Sequence, residues 1–486
     1  MTNPLLQTEG LPAFSDIRPE QVEPALKTVL AENRAIVDAV TSETAEASWE
    51  TVVLPIELMD HRLARTWSPA SHLNAVVNNA ELRDVYNRCL PLLSDYQTEI
   101  GQSEALYHAY RRVAQRDNLD PVQRKVVEDA LRDFRLSGVA LDAADKERFR
   151  EIMQRLSVLS ARFEEHVLDA TNAWSLHIRD AAELAGLPEA NQARARAEAE
   201  QRDEDGWILT LDFPTFHAVM SQAENRQLRE AFYRAWVTRA SDQASASDSW
   251  DNAPVMDEIV LLRQEAARLV GLDSYAAYSL VPKMARDPAE VVAFLEKLAA
   301  RSRPAAARDM AALEAFAGQT LEAWDVAFYA ERLRRKTHAI SDEELRPWFP
   351  VERVMAGLFQ LVEKLFSIRV ELLEDVQSWH DDVRYYRITD AAGSDRGGFY
   401  TDLYARAHKR GGAWMDDCIG RVDVCGRHVL PVAHLVCNFM PPVNGRPALL
   451  SHDEVLTLFH EFGHTLHHLL TRIGYPSVAG INGVAW

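Results

Sequence analysis

Positive charge is scarce in this chain. Against 73 Asp and Glu stand 53 Lys and Arg, a net charge of −20, which argues against nucleic acid or an anionic membrane as a general partner. Long apolar runs are missing too, and none approaches the roughly 18 residues that span a bilayer. The amino terminus, MTNPLLQTEGLPAFSDI, has neither a basic nor an apolar leader segment, and Pro4, Gly10 and Pro12 would break an early helix. A cytoplasmic protein is therefore expected. Cysteine is rare: Cys89, Cys418, Cys425 and Cys437 are the four, and the later three have spacings that suit no zinc ribbon or finger. Reduced, mostly buried thiols are expected. Internal repeats of solenoid period and long low-complexity linkers are also absent.

What is present reads mainly as amphipathic helix. Between Lys146 and Trp174, Phe149, Ile152, Met153, Leu156, Leu159, Phe163 and Val167 recur at spacings of three and four, which predicts a long helix with one buried stripe. A second helix is expected from about Pro254 to Val270, capped by Asp251 or Asn252 and ended by Gly271. The segment Leu184 to Asp205 is charged and alanine-rich, and a strand-like run from Trp207 to Phe213 follows it, ending at Pro214. With 486 residues the chain exceeds one ordinary core. The expected division is residues 1–215, an N-terminal helical domain, and residues 216–486, a catalytic domain.

The texture changes after Ser378. Tyr385 to Ile388, Gly398 to Tyr404 and Val432 to Phe439 read as short strands separated by turns. Ser451-His452-Asp453-Glu454 is a capping box, and the apolar positions Val455, Leu456, Leu458 and Phe459 lead from it into His460-Glu461-Phe462-Gly463-His464. That pentapeptide is an HExxH motif on a predicted helix behind a small sheet. Residues four apart lie about 40° apart in projection and about 6 Å apart along the axis, so His460 and His464 can converge on one Zn²⁺. Glu461 would take a proton from metal-bound water and pass it to the leaving amine.

Such a zinc needs a third protein ligand, and the sequence nearby offers none. From Thr465 to Trp486 there is no Asp, Glu or Cys. His467 and Asp453 share the histidine face, yet each lies seven residues from His460, about 10 Å along a helix. His467 and His468 are read as structural or exposed. His452, in the first turn, is read as supporting the site or as a surface residue. The basic run Arg406, His408, Lys409 and Arg410 before Gly411-Gly412 is read as a solvated turn.

These residues resemble a known family. GGFYTDLYARAHKRGGAWMDDCIGR (Gly397 to Arg421), PVAHLVCNFMPPVNGRPALLSHDEV (Pro431 to Val455) and LFHEFGHTLHHLLTRIG (Leu458 to Gly474) are similar to the thimet oligopeptidase family of zinc metallopeptidases, and the likeness extends over essentially the whole chain. The resemblance implies a mainly α, two-lobed enzyme with a small β-sheet beside the HExxH helix and a deep channel that admits short peptides. It implies His460 and His464 as zinc ligands and Glu461 as the catalytic residue. Short peptides are the expected partners, with no nucleic acid or membrane, and the protein is expected to be a monomer. In the family the third ligand is a glutamate about 30 residues after the first histidine, which would fall beyond Trp486. The chain thus resembles roughly the first two-thirds of such an enzyme, and an apolar surface lacking its cover is expected. Two alternatives accompany this reading: a non-catalytic fragment or peptide-binding scaffold, and a dipeptidyl carboxypeptidase.

Overall fold

The computed structural model describes residues 3–42, 47–244, 250–443 and 445–484. The last two positions of the carboxylate-free tail and the first two of the amino terminus lie outside them. Helices dominate. Three near the amino terminus, α1 (Pro19–Thr41), α2 (Leu54–Val76) and α3 (Ala80–Gly101), each carry proline in the first turn or an asparagine cap that fixes the start. Along α1 the buried positions Val22, Leu26, Val29, Asn33 and Val37 recur at three and four.

The long predicted helix forms as Ala143–Ala173, capped by Asp142, with Phe149, Ile152 and Leu159 buried and Met153, Leu156 and Phe163 packed beside them. The second spans Ala253–Leu269; Asp251 accepts the Ala253 N–H at 2.9 Å, and Gly271 follows with φ +80°. The strand-like run after Trp207 is shorter than expected. Strand β1 (Ser175–Ile178) pairs antiparallel with β2 (Trp207–Thr210), and Phe213 already begins a helix. Asp212 caps that helix by accepting the Thr215 N–H, and Pro214 fits its first turn, so local capping overrides the apolar pattern.

The chemistry-bearing part is built on a five-stranded sheet of β3 (Ile368–Leu373), β4 (Arg384–Asp390), β5 (Asp395–Tyr404), β6 (Trp414–Ile419) and, after a two-stranded hairpin of β7 (Val422–Val424) and β8 (Arg427–Val429), β9 (Val432–Phe439). The order is β3-β4-β5-β9-β6, with β5 and β9 parallel and the other neighbours antiparallel. Three strands appear where the sequence predicts them. Strands β3 and β6 and the β7–β8 hairpin are not expected from the sequence: the Ile368-Arg369-Val370-Glu371-Leu372 alternation of β3 follows directly on the helix Val351–Phe366, Asp416-Asp417 interrupt β6, and β7 and β8 are three residues each.

Both faces of this sheet are covered. Phe399, Leu403, Ala433, Leu435, Cys437 and Phe439 share one apolar cluster with Leu458, Phe462 and Leu469 of the HExxH helix. Tyr400, Val432, Cys418 and Ile419 share another with Leu26, Leu73, Leu82 and Tyr96 of the N-terminal helices. Period-two alternation sorts side chains to opposite sides, and with both sides covered β5 is buried from Gly397 to Leu403 and β9 from Val432 to Cys437. The result is three layers with the sheet in the middle.

Candidate functional site

The HExxH helix spans His452–Leu469 and begins at the predicted capping box: the Ser451 hydroxyl accepts the Glu454 N–H at 3.1 Å, and the Glu454 carboxylate accepts the Ser451 N–H at 2.7 Å. Arg346 donates to that carboxylate at 3.2 Å and to the Leu449 carbonyl at 2.9 Å, fixing the entry to the helix. Leu458, Glu461, Phe462, Thr465, Leu466, His468 and Leu469 form the buried stripe. One flank away, His460 is exposed and His464 half-buried.

Their rings are nearly perpendicular, at 88°, and their Nε2 atoms lie 3.2 Å apart. Two imidazole nitrogens sharing a tetrahedral zinc at about 2.0–2.1 Å would stand about 3.3 Å apart. The pair therefore fits a zinc ion. Gly463, between them in sequence, adjoins open space: a Cβ built there meets nothing within 4 Å. Among the described residues no third His, Cys, Asp or Glu joins the two in a cluster of metal-ligand size.

Glu461 lies about 60° around the helix from His464, on the buried stripe. It is buried on the side toward β9, where burial, helped by Glu461 and other carboxylates after Lys409 opposes it, pushes the Cys437 thiol up. The Thr465 hydroxyl donates to the Glu461 backbone carbonyl at 3.0 Å. His467 is exposed, and His468 is buried with Nε2 3.2 Å from the Ile419 carbonyl and 3.5 Å from Asp417. That contact ties the helix to the end of β6. His452 lies at the surface, beside Asp453.

The basic run before Gly411-Gly412 is not a solvated turn throughout. Lys409 is buried, and its ammonium donates to the Asp402 carboxylate at 2.7 Å and to the carbonyls of Tyr404 and Cys437 at 2.8 and 2.6 Å. Arg406 clasps the same carboxylate through two nitrogens at 2.6 and 2.7 Å, and the Trp379 indole N–H adds a bond at 2.8 Å. Burial alone would raise the Asp402 pKa, but Arg406 and Lys409 more than offset it and hold it below the ordinary value. Strand β5 puts Asp402 inside the layers, and a carboxylate there requires a cation. A second buried group escapes the sequence reading. His72 on α2 and His434 on β9 stack with centroids 3.6 Å apart, enclosed by Phe14, Trp379 and Tyr400, and none of their ring nitrogens has a hydrogen-bond partner. Burial drives the His434 pKa down to about 3 and that of His72 well below its usual value.

Strand β6 lies under the HExxH helix at the edge of the sheet. It pairs with β9 on one side and, among the described residues, with no strand on the other. Gly411-Gly412 precede it, and the Arg410 guanidinium lies 4.3 Å over the Trp414 ring at its start. An unpaired edge of this kind can accept an extended peptide by main-chain hydrogen bonds.

The chain is similar to known proteins along its whole length. Residues 26–146 match the Neurolysin/Thimet oligopeptidase N-terminal domain, and residues 219–486 match Peptidase family M3. Oligopeptidase A of Salmonella typhimurium is 49% identical across 100% of this chain and 73% of its own length. Oligopeptidase A of Haemophilus influenzae is 46% identical, over 72% of its length. Dipeptidyl carboxypeptidase of Salmonella typhimurium is 31% identical, across 99% of this chain and 72% of that protein. The chain thus spans about three quarters of the length of these relatives. With one family match covering more than half of it and such identity along all of it, the chain belongs to peptidase family M3 and is a peptidase of the oligopeptidase kind.

Proposed function

We propose that the protein hydrolyses short peptides at a zinc site for which His460 and His464 supply two ligands and Glu461 the base. The observation that carries this reading is the 3.2 Å approach of the two Nε2 atoms on a capped helix, with Glu461 between them in sequence. A zinc bound there would lower the pKa of its water to about 7 and polarise the scissile carbonyl. Glu461 would serve as the base for that water's proton and as the acid toward the leaving amine. The open edge of β6 binds the substrate backbone in extended form, which selects flexible peptides over folded proteins.

The higher identity to oligopeptidase A than to dipeptidyl carboxypeptidase supports internal cleavage over removal of carboxyl-terminal dipeptides. Four free cysteines, three of them buried, support a reducing location, and we assign the protein to the cytoplasm. The proposed division into residues 1–215 and 216–486 draws support from the two family matches, which fall on either side of it.

The test combines zinc titration with hydrolysis of a fluorogenic peptide. Joint substitution His460→Ala and His464→Ala is expected to weaken zinc binding by more than about tenfold. Glu461→Gln is expected to keep zinc and to lower hydrolysis by about 10²-fold or more. Zinc binding that ignores the loss of both histidines, or cleavage that survives Glu461→Gln, would falsify the reading.

A further inference from the structure

On the face of the sheet opposite the HExxH helix, an open cavity of about 1070 Å³ lies between residues 8–11, α2, the ends of β4 and β5, and the β7–β8 hairpin. Its walls are largely apolar, with Leu11, Leu373, Leu430 and Val432 among them. Two arginines stand in this setting without a counter-ion. Arg65, on α2, is more than nine-tenths buried; it gives one hydrogen bond to the Gly10 carbonyl at 2.8 Å, and its Nε has no partner. Arg427 reaches the cavity from the hairpin, where Cys425 and Gly426 form a two-residue turn with φ +51° and +77°. Among the described residues neither guanidinium has a carboxylate at ion-pair distance.

A buried arginine without a counter-charge is unusual, since the loss of its hydration is unfavourable unless a partner returns the energy. Here burial pulls the Arg65 pKa down and the neighbouring Arg427 pulls in the same direction. The buried Cys418 beside it does not help, because burial keeps it a neutral thiol. Glu9 lies in the wall but pairs with neither arginine. Of the other polar groups in the wall, Arg387 pairs with Glu371 at 2.7 Å and lies 3.8 Å from Asp395, and the His428 ring contacts Asp423, so Asp395 too is turned to Arg387 rather than to Arg65 or Arg427. An anion is therefore the missing member.

We infer that this cavity is a binding site for a small organic anion, whose carboxylate or phosphate head is held by Arg65 and Arg427 and whose apolar body rests on Leu11, Leu373 and Leu430. A planar guanidinium offers paired donors to either head group, and apolar walls with a few convergent polar groups are the usual make-up of a small-molecule site. The site shares no residue with the HExxH helix, so it stands or falls independently of the peptidase reading.

Calorimetric titration of the whole chain tests this with N-acetyl-leucine, its neutral counterpart N-acetyl-leucinamide, and phenyl phosphate. Expected is binding of N-acetyl-leucine, phenyl phosphate or both, with the amide at least about tenfold weaker, because a charge-assisted pair contributes about that factor or more. The acid alone would assign the site to carboxylates, phenyl phosphate alone to phosphates, and either supports the proposal. Arg427→Ala, at a half-exposed hairpin position, should weaken the bound anion at least about tenfold and leave thermal unfolding without ligand unchanged. Arg65→Ala should do the same to binding, and Arg65→Lys, which keeps charge and stem, should restore part of it. The proposal is overturned if acid and amide bind equally, if no anion binds in the millimolar range, or if Arg427→Ala binds like the parent.

Discussion

Two long helices of this chain are anchored in opposite ways. The HExxH helix buries Leu458, Phe462 and Leu469 against the sheet, and the sheet is covered again on its far face. The helix Pro288–Ala317 is longer, at 30 residues, yet buries none of them, and Val292, Phe294, Leu295 and Leu298 are each more than half exposed. Its local signals are mixed: Asp287 caps it through the Glu290 N–H at 2.9 Å, alanine is frequent along it and Gly318 closes it in the left-handed conformation, while Pro304 inside it removes a ladder hydrogen bond. Helix length and propensity thus say little about how firmly a segment is held. Tertiary burial does that.

This contrast can be broken or sharpened by substitution. The largest loss is expected for Asp402→Ala, which leaves Lys409 buried without its carboxylate and should cost about 3–5 kcal/mol in chemical denaturation. A loss below about 1 kcal/mol there would mean that the layered part is not held by this network. Phe462→Ala should cost about 3–5 kcal/mol, whereas Phe294→Ala, at 64% exposure, should stay within about 0.5 kcal/mol. Equal effects at the two phenylalanines would erase the distinction between the helices.

Acid should act on the layered part through its buried histidines. The folded-state pKa of His434 is depressed to about 3, so its contribution is fully present above about pH 6.5, the unfolded value, and is lost as pH falls toward 3. Carboxylates raised by burial, such as Glu57, pull in the opposite direction, so the useful measurement compares parent with variant. Replacing His434 by Phe, which suits the aromatic surroundings, should flatten the dependence of stability on pH between about 6 and 4 by about 1.4 kcal/mol per pH unit. Parallel pH curves for the two proteins would count against it. The smallest effect is expected at the exposed helix: Arg286→Ala removes an exposed pair with Glu290 and should change stability by less than about 0.5 kcal/mol.

How much of this was legible in the sequence followed the range of the interactions. Local signals carried the HExxH helix, its capping box and the stripe of Ala143–Ala173, because caps and helical periodicity act within a few residues. The resemblance carried the family. What stayed hidden was non-local. Edge strand β6 contains Asp416 and Asp417, which mask its alternation, and only pairing with β9 makes it a strand. Lys409 sits in a run that reads as surface and is drawn inside by Asp402. His72 and His434 are unremarkable in sequence and stack only because α2 crosses the sheet over β9. The convergence of His460 and His464 was predicted from spacing, while their roles remain for the zinc and hydrolysis measurements.

The three-layer arrangement also bears on synthesis. His61, on α2, holds the Gly420 carbonyl at 3.2 Å across 359 positions of sequence. At about 5–20 residues per second, a ribosome would deliver the second partner roughly 20–70 s after the first. For that interval the sheet-facing side of the N-terminal helices has no sheet to cover it. These first hundred residues are thus where a nascent chain of this protein is most exposed to chaperones, proteases and its own copies.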